Sequence, residues 1–262
     1  MGKFVHHSLK QSHQWMTFHR SAVTSNPPVL FRLFRALWLS ALLLLIAVAL
    51  YPVSNRWSRL LSVVLLGAVL FGALALYWRK PAIRWTLLAV ITIAAVLIVG
   101  PNRSLPGVPV MREDYLKGLQ RYDGVTYVWG GENPRGIDCS GLVRRGLIDT
   151  LFLRGVQTIH PGLVRKSLSL WWGDCTAKAL GNGPLTTHVT DAPSINSLNH
   201  DQILPGDLAV TTDGLHVLAY LGDSTWIEAD PGIQKVIKVQ VPARDNGWFQ
   251  TPIRIVRWQI LQ

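Results

Sequence analysis

Residues 127–143 read YVWGGENPRGIDCSGLV, and this stretch decides the fold of the second half of the chain. Its glycines, asparagine and proline predict a loop, and Asp138 is a favourable N-cap for a helix that begins at Cys139. Apolar residues then recur near helical spacing as far as Phe152, and Gly155 is a plausible stop. The pattern predicts that Cys139 lies in the first turn of a buried helix, where the helix dipole favours a thiolate over a thiol.

A thiolate in the first turn of a helix is the nucleophile of papain-like enzymes, whereas a lone cysteine among apolar residues is usually a small buried side chain. A second stretch favours the catalytic interpretation. Residues 216–230 read HVLAYLGDSTWIEAD and predict a hairpin that turns at residues 222–224. Alternate residues of a strand share a face, so a histidine and two acids can meet on one face of this hairpin.

The register of the hairpin decides which acid meets the histidine. A three-residue turn places His216 opposite Asp230, with Glu228 diagonal on the same face. A turn shifted by one residue each way places His216 opposite Glu228. In either case a carboxylate can hold the imidazole in the tautomer that accepts a proton. We therefore predict Cys139, His216 and Glu228 as the catalytic residues.

These motifs resemble the NlpC family of cell-wall cysteine peptidases over roughly residues 111–241. The resemblance implies an α+β, papain-like domain in which a helix carrying the cysteine packs on an antiparallel sheet carrying the histidine. It also implies hydrolysis of amide bonds in peptidoglycan stem peptides, without a cofactor or a metal ion. The matching blocks are Tyr127-x-Trp-Gly-Gly, Asp138-Cys-Ser-Gly, Pro205-Gly-Asp-Leu, His216-Val before a Tyr-Leu-Gly strand, and Trp226-Ile-Glu-Ala.

The resemblance also assigns roles to single residues. Cys139 matches the nucleophile and His216 the base. Glu228 falls where family members usually have a third polar residue, commonly His, Asn or Gln; a glutamate there departs from the commonest pattern but suits the orienting role. Three further positions match residues that line the substrate cleft: Tyr127, Asp138 and Ser140. Their alternative roles are, respectively, a core aromatic, a helix cap and a first-turn serine.

The first hundred residues have a different chemistry. They hold ten basic residues and no acidic one, whereas the remaining 162 residues hold 16 basic and 15 acidic. A basic chain can bind nucleic acid, but these basic residues flank apolar runs, so we predict a lipid bilayer as partner and no nucleic acid. About 20 helical residues cross a hydrocarbon core of ~30 Å. Three transmembrane helices are therefore predicted at about residues 36–53, 60–78 and 82–100.

Two other interpretations of these runs are weaker. A buried helical hairpin in a soluble protein would need a polar face, which three nearly charge-free runs lack. A cleaved signal peptide has a shorter apolar core and a small-x-small cleavage site, and no such site follows the first run.

The positive-inside rule gives an orientation. The N-terminal flank and the loop at residues 79–84 hold eight basic residues; the loop at residues 54–59 and the segment after the third run hold five. This predicts a multi-pass protein of the bacterial inner (cytoplasmic) membrane with its catalytic domain facing the periplasm or cell wall. If the short third run does not span, that domain is cytoplasmic. The predicted division is a cytoplasmic tail (1–33), a membrane anchor (34–100), a linker (101–110) and an NlpC-type domain (111–262).

The remaining features leave alternatives open. Four histidines at positions 6, 7, 13 and 19 fit a solvated tail better than a metal site, because no ligand spacing recurs. Cys175 is predicted to be a buried thiol. Residues 166–180 predict a helix whose Trp171 and Trp172 can be core, line a groove or touch the membrane. Residues 235–241 and 253–258 alternate like strands.

Three functions are compatible with the sequence. The leading one is a membrane-anchored cysteine peptidase or amidase that acts on peptidoglycan stem peptides. The second keeps the fold but acts on a lipid or protein substrate, as an amidase, acyltransferase or toxin. The third is a non-catalytic wall-binding module, against which the intact Cys139 and His216 argue.

Overall fold

The structure, a computed structural model, describes residues 29–262. The predicted cytoplasmic tail with its four histidines lies outside the described residues, apart from residues 29–33, which begin the first helix. The anchor consists of three helices, each long and apolar enough to cross a membrane. They are α1 (Val29–Leu50), α2 (Arg56–Tyr77) and α3 (Pro81–Val99).

The helix ends follow local chemistry. Helix α1 begins before its charge-free run and includes Arg32 and Arg35, since arginine is a good helix former whose long side chain can reach water from a helix end. Pro52 lies just beyond its last residue, as is common because proline cannot continue a helix. Helix α2 begins with a capping box in which Asn55 Oδ1 accepts the Ser58 N–H at 2.9 Å.

The domain that follows the anchor is α+β, as predicted. Its α-helices are α4 (Val108–Gln120), α5 (Cys139–Gln157), α6 (Pro161–Trp172) and α7 (Ala177–Asn182). Its strands are β1 (Glu132–Asn133), β2 (Gly136–Ile137), β3 (Thr186–Ala192), β4 (Leu208–Thr211), β5 (Val217–Gly222), β6 (Thr225–Asp230), β7 (Lys235–Gln240) and β8 (Ile253–Trp258). The four α-helices pack beside a six-stranded antiparallel sheet with the strand order β3-β8-β4-β5-β6-β7, and a separate hairpin, β1–β2, precedes Cys139.

Both faces of the sheet are covered, and alternation along β5 shows how. Val217 and Ala219 belong to the core cluster that includes Leu142 and Leu147 of α5. Leu218, between them in sequence, belongs to a second cluster on the opposite face. The helix that begins at Cys139 therefore packs against the strand that follows His216.

Two predicted boundaries are wrong. Gly155 does not stop α5, which continues to Gln157; its missing side chain instead lets α6 approach, because a Cβ there would lie 2.8 Å from Val164 Cγ2. The helix predicted over residues 166–180 breaks after Trp172, and α7 starts at Ala177. Buried Arg144 donates to the carbonyl of Leu170 at 2.8 Å and also to that of Gly173, so it holds the end of α6 in a bend.

The domain sits on one end of the helical anchor. Arg165 of α6 donates to the carbonyls of Ile98 and Gly100, which end α3, at 2.7 and 2.8 Å. Trp171 lines a space between the domain and the adjoining ends of α1 and α2. The C-terminal ends of α1 and α3 and the N-terminal end of α2 thus all lie on the side of the domain.

Candidate active site

The start of α5 is fixed by a carboxylate that binds backbone N–H groups on both sides of Cys139. Asp138 Oδ1 accepts the Gly141 N–H at 2.6 Å, and its Oδ2 accepts the Gly130 N–H at 2.8 Å. The Gly131 carbonyl packs against Gly141 so closely that a Cβ would collide with it. Cys139 is therefore held between a capped helix and a tightly packed loop, and it is buried with a free thiol.

The histidine is positioned by the turn before β5. The His216 N–H donates to Thr211 Oγ1 at 3.0 Å, and the Thr211 N–H donates to the His216 carbonyl at 3.1 Å. The indole of Trp248 stacks on the imidazole, with ring centroids 4.2 Å apart and an interplanar angle of 19°. Backbone and ring plane are thus both constrained.

One acid reaches the histidine and the other does not. His216 Nε2 lies 2.7 Å from Glu228 Oε2, and Glu228 is fully buried. The register pairs Ala219 with Ile227, which extends to His216 opposite Asp230 with Glu228 diagonal. Asp230 nevertheless turns its Oδ1 to the N–H groups of the following turn, at residues 232 and 233.

The hairpin itself turns where the sequence predicted. Asp223 and Ser224 form the two-residue loop, both with positive φ, at 48° and 55°. This conformation matches the twist of adjoining strands. A bulge between Tyr220 and Gly222 completes the connection.

The imidazole binds the carboxylate through Nε2, which lies 2.7 Å from Glu228 Oε2. The Cys139 thiol donates a long hydrogen bond of 4.0 Å to the carbonyl of Leu215, the residue before the histidine. Burial by itself lowers the pKa of His216, but the nearby Cys139 side chain and the carboxylate of Glu228 outweigh burial and raise it to about 9. The site therefore favours a protonated imidazole at neutral pH.

The three residues predicted to line the cleft all border a groove of about 380 Å³ beside Cys139. Burial, followed by the charges of Cys139, Asp138 and Asp230, raises the pKa of Tyr127 to about 12, so its hydroxyl keeps its proton at neutral pH. Ser140 Oγ donates to Asp138 Oδ1 at 2.9 Å. Asp138 accepts three hydrogen bonds and so acts as the helix cap, the alternative role that the sequence left open.

Several residues at the site were missed by sequence reasoning. Trp248 stacks on His216, and Asn246 Nδ2 donates to Glu228 Oε1 at 2.6 Å, which extends the row of polar groups. The only sequence feature that points to these two residues is the turn-forming pair Asn246-Gly247 directly before the aromatic pair Trp248-Phe249. Arg59, Glu132 and Arg144 also border the groove, and no local pattern relates the first of them to the other two.

The sequence model of the NlpC/P60 family matches residues 124–257, just over half of the chain. The chain belongs to the NlpC/P60 family. Solved structures of similar fold include the peptidoglycan hydrolase RipB from Mycobacterium tuberculosis (19% identity, 68% of this chain and 85% of that chain, TM-score 0.38). The P60 domain of an antigen from M. avium subspecies paratuberculosis is 22% identical, with 59% and 98% covered and a TM-score of 0.37.

An NlpC/P60 protein from Bacillus cereus is 14% identical and has a TM-score of 0.38; the match covers 60% of this chain and 41% of that protein. The matched part also spans less than half of two Trichomonas vaginalis NlpC proteins. No curated protein matches the chain.

Proposed function

We propose that this protein is a membrane-anchored cysteine peptidase or amidase that hydrolyses amide bonds in peptidoglycan stem peptides. The observation that carries the proposal is Cys139 at the edge of an open groove, together with the buried His216–Glu228 pair whose imidazole and carboxylate lie 2.7 Å apart, in an NlpC/P60 domain. Membership of the NlpC/P60 family supports peptidoglycan as the substrate class.

The proposed mechanism begins with Cys139 as a thiolate and His216 as an imidazolium. The Cys139 thiolate attacks the carbonyl carbon of the amide, and the His216 imidazolium gives its proton to the leaving nitrogen as the C–N bond breaks. The acyl group then forms a thioester with Sγ. Water attacks the thioester after losing a proton to His216, and the carboxylic acid leaves as the thiolate re-forms. Glu228 holds the ring and stabilises its positive charge throughout.

The tetrahedral intermediates need donors for their oxyanion. Cys139 is the first residue of α5, so its N–H has no acceptor within the helix and can donate to the oxyanion. The Tyr127 hydroxyl borders the same groove and supplies the second hydrogen bond. Asp138 and Ser140 act on substrate indirectly, because they shape the wall of the cleft.

The proposed orientation places the domain outside the cytoplasmic membrane. Besides the distribution of basic residues, support comes from the α1–α2 loop, where the Ser54 N–H donates to the Gly130 carbonyl of the domain at 3.0 Å. A loop and a domain in contact lie on the same side of a membrane, so α3 must cross it. With the tail inside, three crossings leave both outside.

The proposal is tested with the full-length protein in detergent and purified sacculi. We expect mass spectrometry to detect stem peptides with newly formed amine and carboxyl ends. The variant Cys139→Ala should yield none, while Cys175→Ala should remain active, because burial raises the pKa of the Cys175 thiol and so disfavours a thiolate there. Undiminished cleavage by Cys139→Ala would overturn the assignment.

One observation favours a second candidate, an amidase or acyltransferase acting on a lipid-attached substrate. Ser54 and Arg59 border the groove, and α2 begins between them, so the cleft opens at the membrane surface. Trp57 and Trp129 are exposed near this level, as expected for interfacial tryptophans. Cleavage of a lipid-linked peptide in vesicles, with sacculi left intact, would favour this candidate.

A further inference from the structure

The loop between the first two membrane helices binds the loop that precedes the nucleophile. The Glu132 N–H donates to the Pro52 carbonyl at 3.0 Å, and Val53 forms an antiparallel bridge with Gly131. The Asn133 side chain adds a bond of 2.7 Å to the Tyr51 carbonyl. The anchor and the active-site loop thus share a short stretch of paired backbone.

A buried arginine at the start of α2 strengthens this contact. Arg59 is only 2% exposed although it lies in a helix of the membrane anchor. Its Nη2 lies 2.9 Å from Glu132 Oε2, and its Nε donates to Ser54 Oγ at 3.0 Å. Its Nη1 donates to the carbonyls of Trp172 and Gly173 at 3.2 and 3.3 Å. Every nitrogen of the guanidinium therefore has a partner.

Glu132 joins the membrane helix to the helix of the nucleophile. Its Oε1 lies 3.1 Å from Nη1 of Arg144, which belongs to α5 and is also buried. A buried carboxylate is tolerated when opposite charges compensate it, and removal of one partner leaves an uncompensated charge. Arg59 of the anchor and Arg144 of the domain thus hold one carboxylate between them.

This carboxylate belongs to the first residue of β1, directly after the loop residues 130 and 131 that fix Cys139. The Gly131 carbonyl accepts the Asp138 N–H at 3.1 Å, and the Gly130 N–H donates to the Asp138 carboxylate at 2.8 Å. A displacement of Glu132 would shift both neighbours and so disturb the cap of α5. It would also move the N–H that we propose as the oxyanion donor.

We propose that Arg59 is a positioning residue for Cys139, so that the membrane anchor completes the active site in addition to tethering it. Arg59 acts through Glu132 and residues 130–131. The inference rests on the proposed function, which identifies Cys139 as the nucleophile, and it adds that Arg59 controls the position of this cysteine.

The test measures the rate at which iodoacetamide alkylates Cys139 in the full-length protein, followed by mass spectrometry that resolves Cys139 from Cys175. We expect Arg59→Ala to slow alkylation at pH 7 at least tenfold and to shift its pH profile. Arg59→Lys should recover part of the rate. Arg56→Ala is the matched control, because that arginine lies one turn earlier and is exposed; its rate should stay within twofold of wild type.

A second variant decides the question if Arg59→Ala fails to fold. Glu132→Gln keeps the shape of the side chain but removes the charge that Arg59 and Arg144 share. We expect Glu132→Gln to slow alkylation of Cys139 at least fivefold. The double variant Arg59→Lys/Glu132→Gln should be alkylated no more slowly than Glu132→Gln alone. Alkylation of Cys139 at the wild-type rate in Arg59→Ala would overturn the proposal. If Arg59→Ala does not fold, the wild-type rate in Glu132→Gln would overturn it.

The outcome is separable from that of the proposed function, because alkylation needs no peptidoglycan. If sacculi are not cleaved but labelling still depends on Arg59, the substrate assignment fails and the positioning role stands. If sacculi are cleaved and Arg59→Ala cleaves them at the wild-type kcat, the positioning role fails alone.

Discussion

His216, the residue just before β5, places its Nε2 2.7 Å from Oε2 of Glu228 in β6, and neither side chain is exposed to solvent by more than 2%. This pair is diagonal in the hairpin, while the residue in direct register with His216 is Asp230, whose carboxylate binds the next turn. The imidazole is thus oriented by one of the two available acids, and the two can be tested against each other.

Replacement of Glu228 by Gln should lower kcat by about 100-fold, because the amide cannot stabilise the imidazolium. Asp230→Asn is the control, since its amide oxygen can still accept the N–H groups of the turn; we expect its kcat to stay within about threefold. Steady-state kinetics on a stem-peptide substrate provide the measurement. A larger effect at Asp230 would assign the orienting role to the wrong acid.

The raised pKa of His216 predicts the alkaline limit of activity. A free imidazole loses its proton near pH 6.5, but His216 keeps its proton up to about pH 9. Protonation of the leaving amine needs that proton, so kcat/KM should remain high above pH 7 and fall through about pH 9. Glu228→Gln removes one of the interactions that raise the pKa, so its alkaline limb should move to lower pH. A shift to higher pH would contradict this account.

The stack of Trp248 on His216 should matter for catalysis. An aromatic pair contributes about 1 kcal/mol beyond its buried area, so Trp248→Ala should lower kcat roughly fivefold or more as the ring gains freedom. Trp248→Phe keeps a stacking partner and should retain most of the activity. Equal losses in the two variants would show that the indole N–H or its size, and not stacking, is what counts.

The carboxylate of Asp207 supports the fold and not the chemistry. Two nitrogens of Arg257 bind it at 2.6 and 2.7 Å, and it is fully buried. Asp207→Asn should reduce the free energy of unfolding by about 3 kcal/mol. The control is Asp191→Asn, because Asp191 pairs with Arg254, which lies on β8 like Arg257, at an exposed site. There we expect the free energy of unfolding to fall by only about 0.5 kcal/mol. Thermal unfolding followed by tryptophan fluorescence compares them; similar losses would refute the distinction.

The motif around Cys139 predicted the helix that begins at this residue and its Asp138 cap, because both depend on residues close in sequence. The hairpin after His216 also involves only residues that are close in sequence, so its turn and the contact between His216 and Glu228 could be predicted. The roles of Trp248 and Arg59 were not, since each contacts the site from a distant part of the chain. The break after Trp172 also depends on a distant partner, Arg144, which binds carbonyls at the end of α6.

The central claim is that the sulfur of Cys139, assisted by His216, forms the covalent intermediate. Its most direct test is acid quenching of full-length protein during turnover of a stem-peptide substrate, followed by site-resolved mass spectrometry of the two cysteines. We predict a thioester at Cys139 with the mass of the acyl half of the substrate and none at Cys175, and His216→Ala should abolish it. Substrate cleavage without an adduct at Cys139, or with an adduct at Cys175 alone, would contradict the claim.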